Sequence, residues 1–168
     1  MHYQTHPLPD SLQPWLRELW ELRGNEYAAP ITLYPDGMVD VLLNFGPEYS
    51  FTYQGESQPL PTGNHVSGVL LHPLTLNLHS EVHVFGLRFS PELFYQACPQ
   101  LSHQERTQIL VLPPLPAWVP TGLDRASDII AHLAQHLTAP PEPSPVSLAI
   151  AHLEKHRGVV PISELARE

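Results

Sequence analysis

Three polar residues carry the most suggestive chemistry of this chain: Asp40, Asn44 and Arg88. Asp40 and Asn44 fall at even positions of a run whose odd positions are apolar, so a β-strand would place both on one face. Arg88 would share a strand face with apolar neighbours, where an unpaired buried charge is strongly unfavourable. We therefore predict that Arg88 pairs with Asp40 inside or at the mouth of a barrel. The pair is either purely structural or a site where Arg88 meets an anionic effector.

Aromatic side chains could line a ligand cavity beside this pair. The candidates are Trp20, Tyr34, Phe45, Phe51, Tyr53, Phe85 and Phe89. Ordinary core packing accounts for most such residues in globular proteins, and a small-molecule pocket is the alternative. The predicted ligand-binding residues are Arg88, Asp40, Asn44, Trp20 and Tyr34.

Eleven histidines raise the question of a metal site. His79, Glu81 and His83 would share one strand face, a spacing that could gather ligands. That face continues into an apolar run, and the chain lacks the His-x-His pair that metal-dependent barrel enzymes use. His65 and His72 fall near predicted turns. We interpret the histidines as solvent-exposed or locally hydrogen-bonded, and we predict no metal and no cofactor.

No arrangement typical of a catalytic nucleophile stands out. The sequence has no Gly-x-Ser-x-Gly elbow and no glycine-rich phosphate loop. Asp36 and Asp40 are close in sequence, but they flank a predicted turn without an acid–base partner. Cys98, the single cysteine, excludes an internal disulfide and is interpreted as a small, partly buried apolar residue. We predict no catalytic residue and no enzyme.

Charge separates the chain into two parts. Residues 1–145 hold five Lys and Arg against fourteen Asp and Glu, a net charge of −9, whereas residues 146–168 are neutral. A negative domain repels phosphate at long range, so we expect a sensor or partner-binding role for the first part. No signal peptide is visible at the N-terminus, and no run reaches the roughly 18 apolar residues that span a bilayer. We expect a cytoplasmic protein without a membrane partner.

The first part is predicted to be mainly β. Its strands are expected at residues 15–23, 38–45, 51–54, 58–60, 66–71, 75–79 and 81–89. Helical spacing also fits 15–23, but its shortness favours a strand. Turn signals between short strands, without alternating helices, indicate an antiparallel barrel or sandwich. Helices follow, the first capped by Ser90 with Pro91 at its first position and another after a capping box at 102–105.

The strongest predicted helix spans residues 122–138. Its apolar residues recur in steps of three and four: Leu123, Ala126, Ile130, Leu133 and Leu137. Two readings of this stripe remain open. It packs on its own domain, or its heptad-like spacing forms the seam of a homodimer.

After a proline-rich break at 139–145, the tail reads VSLAIAHLEKHRGVVPISELARE. Apolar spacing indicates a helix that ends before Gly158, and a second helix begins near Ser163. Two such helices cannot bury an apolar stripe alone. We expect the sequence to stop inside a second domain.

The tail resembles the opening of the DNA-binding domain of AraC/XylS-type transcriptional regulators. The matching residues are Ala149, Leu153, His156, Gly158, Ile162, Glu164, Leu165 and Ala166. Upstream, 34–46 (YPDGMVDVLLNFG) and 84–91 (VFGLRFSP) look like the PDGxxDLIxNLG and GVRFxPG segments of one subgroup's N-terminal domain. The first recognition helix and the second helix-turn-helix unit of the family are absent from this sequence, so no DNA-binding residue is predicted in it.

The resemblance implies a fold, an organisation and a function. The fold would be a cupin-like β-barrel followed by helices, with a regulatory domain at 1–138, a linker at 139–145 and a truncated helix-turn-helix domain at 146–168. The protein would be a bacterial homodimer that senses an effector and contacts operator DNA through its missing C-terminal domain. The alternatives are a dimerisation domain without an effector, a cupin-like small-molecule-binding protein and a metal-dependent enzyme.

Overall fold

The computed structural model describes residues 2–25, 30–78, 81–101, 109–111 and 116–156. The strands in these ranges are β1 (His2–His6), β2 (Glu18–Gly24), β3 (Ile31–Leu33), β4 (Val39–Asn44), β5 (Tyr49–Tyr53), β6 (Glu56–Leu60), β7 (Gly63–Ser67), β8 (Leu74–Asn77), β9 (Val82–Phe89) and β10 (Ile109–Val111). The helices are α1 (Pro91–Ala97), α2 (Ala126–His136) and α3 (Pro145–Lys155). Within the described ranges, no helix combines the length and apolarity needed to cross a bilayer.

Every strand pair is antiparallel, and the strands form two sheets. The larger sheet has the order β1-β2-β9-β4-β7-β10 and the smaller sheet β3-β8-β5-β6. The predicted fold class, mainly antiparallel β with helices after the strands, is confirmed. The seven predicted strands correspond in order to β2 and β4 through β9, and the strand interpretation of 15–23 holds from Glu18 onward.

Side-chain alternation gives the larger sheet two different faces. In β9, Phe85, Leu87 and Phe89 point toward a core that also contains residues of α1, α2 and the turn before β2. We call it the filled core. Val82 and Val84 point the other way, into a second cluster shared with the smaller sheet. The molecule therefore has three layers, with the larger sheet in the middle.

The helices depart from the sequence prediction at their ends. Ser90 occupies the N-cap position of α1 with Pro91 behind it, as predicted, but the Ser90 side chain makes no capping hydrogen bond. Helix α2 is shorter than 122–138 and begins at Ala126, after Arg125, whose extended backbone makes it the N-cap residue. The predicted capping box at 102–105 lies outside the described residues.

Helix α3 begins inside the proline-rich segment, one residue before the predicted domain boundary. Pro145 is its first residue, and the Oγ of Ser144 accepts hydrogen bonds from the backbone N–H groups of Val146 (3.1 Å) and Ser147 (3.2 Å). This is an N-cap followed by proline at N1. The predicted second helix of the tail and Gly158 lie outside the described residues.

Candidate functional site

A cavity of about 310 Å³ lies between the two sheets. Its interior is apolar, and its walls include Leu22, Leu42, Leu60, Leu74, Leu76 and Val84. The volume falls at the lower end of the range of small-molecule sites, roughly 300–1,000 Å³. Polar groups are concentrated at one part of the wall, where Asp36 is exposed and Arg88 is partly exposed. We call this part the mouth of the cavity.

The mouth holds the ion pair that the sequence predicts. Asp40 of β4 and Arg88 of β9 are directly opposite each other in the antiparallel register. Arg88 donates from Nε to Oδ1 of Asp40 at 3.1 Å and from Nη2 to Oδ2 at 3.0 Å. This two-bond geometry is the strong form of an arginine–carboxylate contact. The predicted pairing of Arg88 with Asp40 is confirmed.

Trp20 completes the hydrogen bonding of Asp40. Its Nε1–H donates to Oδ1 of Asp40 at 3.0 Å. The indole can lie across β9 because Gly86 is its partner in the strand register, and a Cβ at Gly86 would sit only 1.9 Å from Cε2 of Trp20. Because Gly86 of β9 has no side chain, the ring of Trp20 from the neighbouring strand β2 has room to lie over it.

Two further carboxylates surround the arginine. Nη2 of Arg88 lies 3.4 Å from Oδ2 of Asp36, and Nη1 lies 3.6 Å from Oε2 of Glu18. Glu18 is opposite Arg88 in the β2–β9 register. Sequence reasoning missed Glu18 as a partner, although its position two residues before Trp20 places both side chains on the cavity face of β2.

Burial and charge act in opposite directions on the pKa values of this pair. Burial raises the pKa of Asp40, while hydrogen bonds from Arg88 and Trp20 and the arginine charge oppose that rise. Burial lowers the pKa of Arg88, but its bonds to Asp40 and the charges of the surrounding carboxylates outweigh burial, and the pKa is raised. Arg88 therefore remains a guanidinium that donates to Asp40 from Nε and Nη2.

The other predicted ligand-binding residues divide into two groups. Trp20 and Tyr34 both line the cavity, and Tyr34 is 71% exposed at its edge. Asn44 does not line it: its Nδ2 donates to the carbonyls of Pro47 (3.2 Å) and Pro61 (3.3 Å). The Oδ1 of Asn44 accepts from a backbone N–H as well. The amide of Asn44 therefore holds the chain after β4, and a ligand-binding role for Asn44 stays a prediction.

The histidines have more varied surroundings than the sequence predicts. His83 is buried, with Nε2 3.3 Å from Oε1 of Glu21, and His6 lies 3.1 Å from the other oxygen of that carboxylate. His65 is fully buried rather than exposed at a turn. Burial lowers the pKa of His65 to about 4. His79 lies outside the described residues, within which no group of three or more His, Cys, Asp or Glu is arranged to hold a metal.

The proposed dimer stripe lies against the filled core. Leu133 and Leu137 are buried inside this core, so neither side chain offers surface to a second copy. The remaining stripe residues, Leu123, Ala126 and Ile130, are partly buried against the same core. The packing favours the alternative in which the stripe stabilises its own domain, and a dimer seam through the partly buried residues stays a prediction.

Two solved structures match part of this chain. One is an HTH_3 family transcriptional regulator from Vibrio cholerae, with 11% sequence identity, a TM-score of 0.39 and coverage of 52% of this chain and 50% of that chain. The other is the Cupin_2 domain of an XRE family transcriptional regulator from Enterobacter cloacae, with 16% identity, a TM-score of 0.38 and coverage of 53% and 97%. The chain thus spans about half the length of the Vibrio protein. No curated protein sequence matches it.

A family model matches the chain over residues 4–109. This range contains the strands that build the mouth of the cavity, with Trp20, Asp40 and Arg88. Because the match covers more than half of the sequence, the chain belongs to the family described as a domain of unknown function, DUF6597.

Proposed function

We propose that this chain is the effector-sensing domain of an AraC/XylS-like transcriptional regulator. The observation that carries the proposal is the apolar cavity of about 310 Å³ with an ion pair at its mouth. The two segments that resemble such regulators, 34–46 and 84–91, are also the segments that contribute Asp40 and Arg88 to the mouth. The resemblance and the cavity therefore point to the same part of the chain.

In this proposal the cavity is a binding site rather than an active site. Its charged groups are occupied with one another, and the arginine and tryptophan N–H groups are both directed at Asp40. A bound effector would shift the population between arrangements of the domain that favour or disfavour DNA binding. The effect depends on how much more tightly the effector binds one arrangement than the other.

The proline-rich linker provides a physical route for this coupling. Trp15 Nε1–H donates to the carbonyl of Ala139 at 2.8 Å. The Gln96 side chain donates to the carbonyl of Glu142 (2.8 Å) and accepts from its backbone N–H (3.0 Å). A linker held in this way passes a fixed orientation to α3, from which the proposed DNA-binding part continues. A cytoplasmic homodimer on operator DNA is part of the same proposal.

The experiment compares DNA binding of this chain with that of a gene product carrying a complete helix-turn-helix domain. Fluorescence anisotropy on the gene's own upstream DNA, over a salt series, should show sequence-specific binding by the longer protein only. Effectors are then found as compounds that shift this affinity. Binding by neither protein at any salt concentration would remove the regulatory proposal.

Cavity-filling variants connect the response to the site. Leu76→Phe in the longer protein adds volume inside the cavity and should abolish the effector response while DNA binding persists. Leu71→Phe makes the same change at a side chain that is 64% exposed, outside the cavity lining, and should respond as the parent does. An equal response from both variants would mean that the effector binds elsewhere.

A further inference from the structure

We infer that the cavity selects a hydrophobic cation, a molecule with a compact apolar body and one positively charged group such as an ammonium. The inference rests on the proposed effector-binding function and names the chemical class of the effector. Three observations carry it: the charge balance at the mouth, the aromatic groups beside those charges and the apolar interior.

The charges at the mouth do not cancel. Asp40 neutralises Arg88 through two hydrogen bonds. Asp36, which also lines the cavity, then remains as a carboxylate in excess, with its Oδ2 3.4 Å from Nη2 of Arg88, while Glu18 approaches Nη1 at 3.6 Å from outside the cavity lining. Among the described residues that line the cavity, Arg88 is the one Lys or Arg. The entrance therefore has a net negative charge, in line with the chain's formal net charge of −9.

This arrangement disfavours the anionic effector that the sequence alone leaves open. An anion entering the cavity would meet the carboxylates of Asp36 and Asp40 beside Arg88, and Asp40 already accepts hydrogen bonds from Nε and Nη2 of the arginine. Like charges at such distances repel, most strongly where the surroundings are partly buried. A cation placed near Asp36 instead meets an exposed carboxylate, since the Asp36 side chain is 47% exposed.

Aromatic groups beside the carboxylates favour the same ligand class. Tyr3 stacks on Trp20 with ring centroids 6.0 Å apart, and the Tyr3 hydroxyl donates to Glu18 at 3.4 Å. Tyr34 borders the cavity, lies two residues before Asp36 in the sequence and is largely exposed. Aromatic faces near carboxylates are the usual protein surroundings of an ammonium group, because the ring face carries partial negative charge. The cavity interior behind them, lined by leucine and valine, accepts the apolar body.

The test uses three probes that share one apolar body and differ in charge: phenylbutylammonium, phenylbutanol and phenylbutyrate. Calorimetric titration of this chain should give the tightest binding for the ammonium and the weakest for the carboxylate. Added salt should weaken binding of the ammonium probe and leave binding of the alcohol probe unchanged. If the alcohol or the carboxylate binds as tightly as the ammonium, the cation inference is overturned while the cavity remains a ligand site. If none of the probes binds, both the inference and the effector-binding proposal fail.

Variants at the mouth assign the charge effect to specific side chains. Asp36→Asn should weaken the ammonium probe by about three- to fivefold, as expected for a partly exposed ion pair, and leave phenylbutanol unchanged. Glu18→Gln, at a residue outside the cavity lining, should have a smaller effect. Asp36→Asn retains Oδ1, which accepts the backbone N–H of Met38 at 2.9 Å, so the turn is preserved. Asp124→Asn removes the same charge from an exposed position outside the cavity and is the matched control. An equal loss in the control would mean that overall charge, rather than the mouth, attracts the cation.

Discussion

The two faces of the larger sheet are built from alternate residues of the same strands and yet are filled to different extents. In β9, Phe85, Leu87 and Phe89 are at most 1% exposed inside the filled core. Their neighbours Gly86 and Arg88 face the other way, toward a cavity of about 310 Å³. Strand alternation thus lets one short segment fill a core on one face and line a cavity on the other.

This comparison also explains where the polar groups lie. On the cavity face, Asp40 and Arg88 form an ion pair with each other at the partly exposed mouth. On the filled face, the polar cluster of Glu21, His6 and His83 lies toward the far end of β9 from Arg88. Buried polar groups require partners on either face, and the cavity face leaves apolar space beside Asp40 and Arg88.

The largest expected effect on the free energy of unfolding comes from removing an aromatic side chain from the filled core. Phe89 is fully buried and its ring packs at 5.8 Å from Phe94 and 5.5 Å from Trp118. Phe89→Ala should lower the free energy of unfolding by about 3–5 kcal/mol. Leu22→Ala, at a partly buried residue that already borders the cavity, should cost about 1 kcal/mol. Denaturant unfolding of both variants measures the difference, and equal losses would contradict the distinction between the two faces.

The second-largest effect is a pH dependence of the folding stability, which comes from a buried histidine on the cavity face of the larger sheet. His65 is opposite Leu42 in the strand register, so it shares that face although it does not line the cavity. Burial lowers the pKa of His65 from 6.5 to about 4. As the pH falls from 6.5 toward 4, the unfolded chain binds a proton that the folded chain does not, so stability is lost with acidification. The loss should reach about 3 kcal/mol near pH 4.

Urea unfolding between pH 7 and pH 4 checks this prediction. His65→Leu removes the titrating group and should flatten the part of the stability profile that His65 contributes. His72→Gln changes an exposed histidine and should leave the profile as it is in the parent chain. A His65→Leu profile with the parent slope would show that other groups cause the acid sensitivity.

The strands that the sequence predicts and those that it misses differ in their place in the sheets. Predicted strands such as β4 and β9 have neighbours on both sides and bury at least one face, so their apolar residues alternate clearly. The three unpredicted strands β1, β3 and β10 are all edge strands, whereas β6, the remaining edge strand of the two sheets, is predicted. An edge strand such as β1, with the sequence HYQTH, leaves much of its surface exposed and carries little apolar pattern.

The sequence predicts only the part of the site that follows from the alternation of side chains within a strand. The pairing of Asp40 with Arg88 follows from alternation plus the cost of an unpaired buried charge. The roles of Glu18 and Gly86 depend on the register between β2 and β9, which no local pattern specifies. The partners of the Asn44 amide, Pro47 and Pro61, were missed for the same reason, because they come together only when the loops after β4 and β6 fold.

A smaller effect is expected from filling the space at Gly86. In Gly86→Ala the new methyl group would overlap the Trp20 ring, so the indole must move and its bond to Asp40 is lost. We expect a loss of about 1–3 kcal/mol in stability, as for overpacked sites, together with a change in tryptophan fluorescence. Binding of the phenylbutylammonium probe should weaken as well. An unchanged fluorescence spectrum would contradict the placement of Trp20 over β9.

The smallest effect concerns the linker, which is attached on the filled side of the molecule through α1. Gln96→Ala removes two hydrogen bonds to the backbone of Glu142 and should cost about 1 kcal/mol or less, because the contact is exposed. Hydrogen exchange should speed up at the amide of Glu142, while probe binding in the cavity stays unchanged. Gln135→Ala makes the same substitution at an exposed position of α2 and should alter neither. If Gln96→Ala also weakens the probe, the linker contact and the cavity are coupled in the isolated chain, and the two faces of the sheet are less independent than their packing indicates.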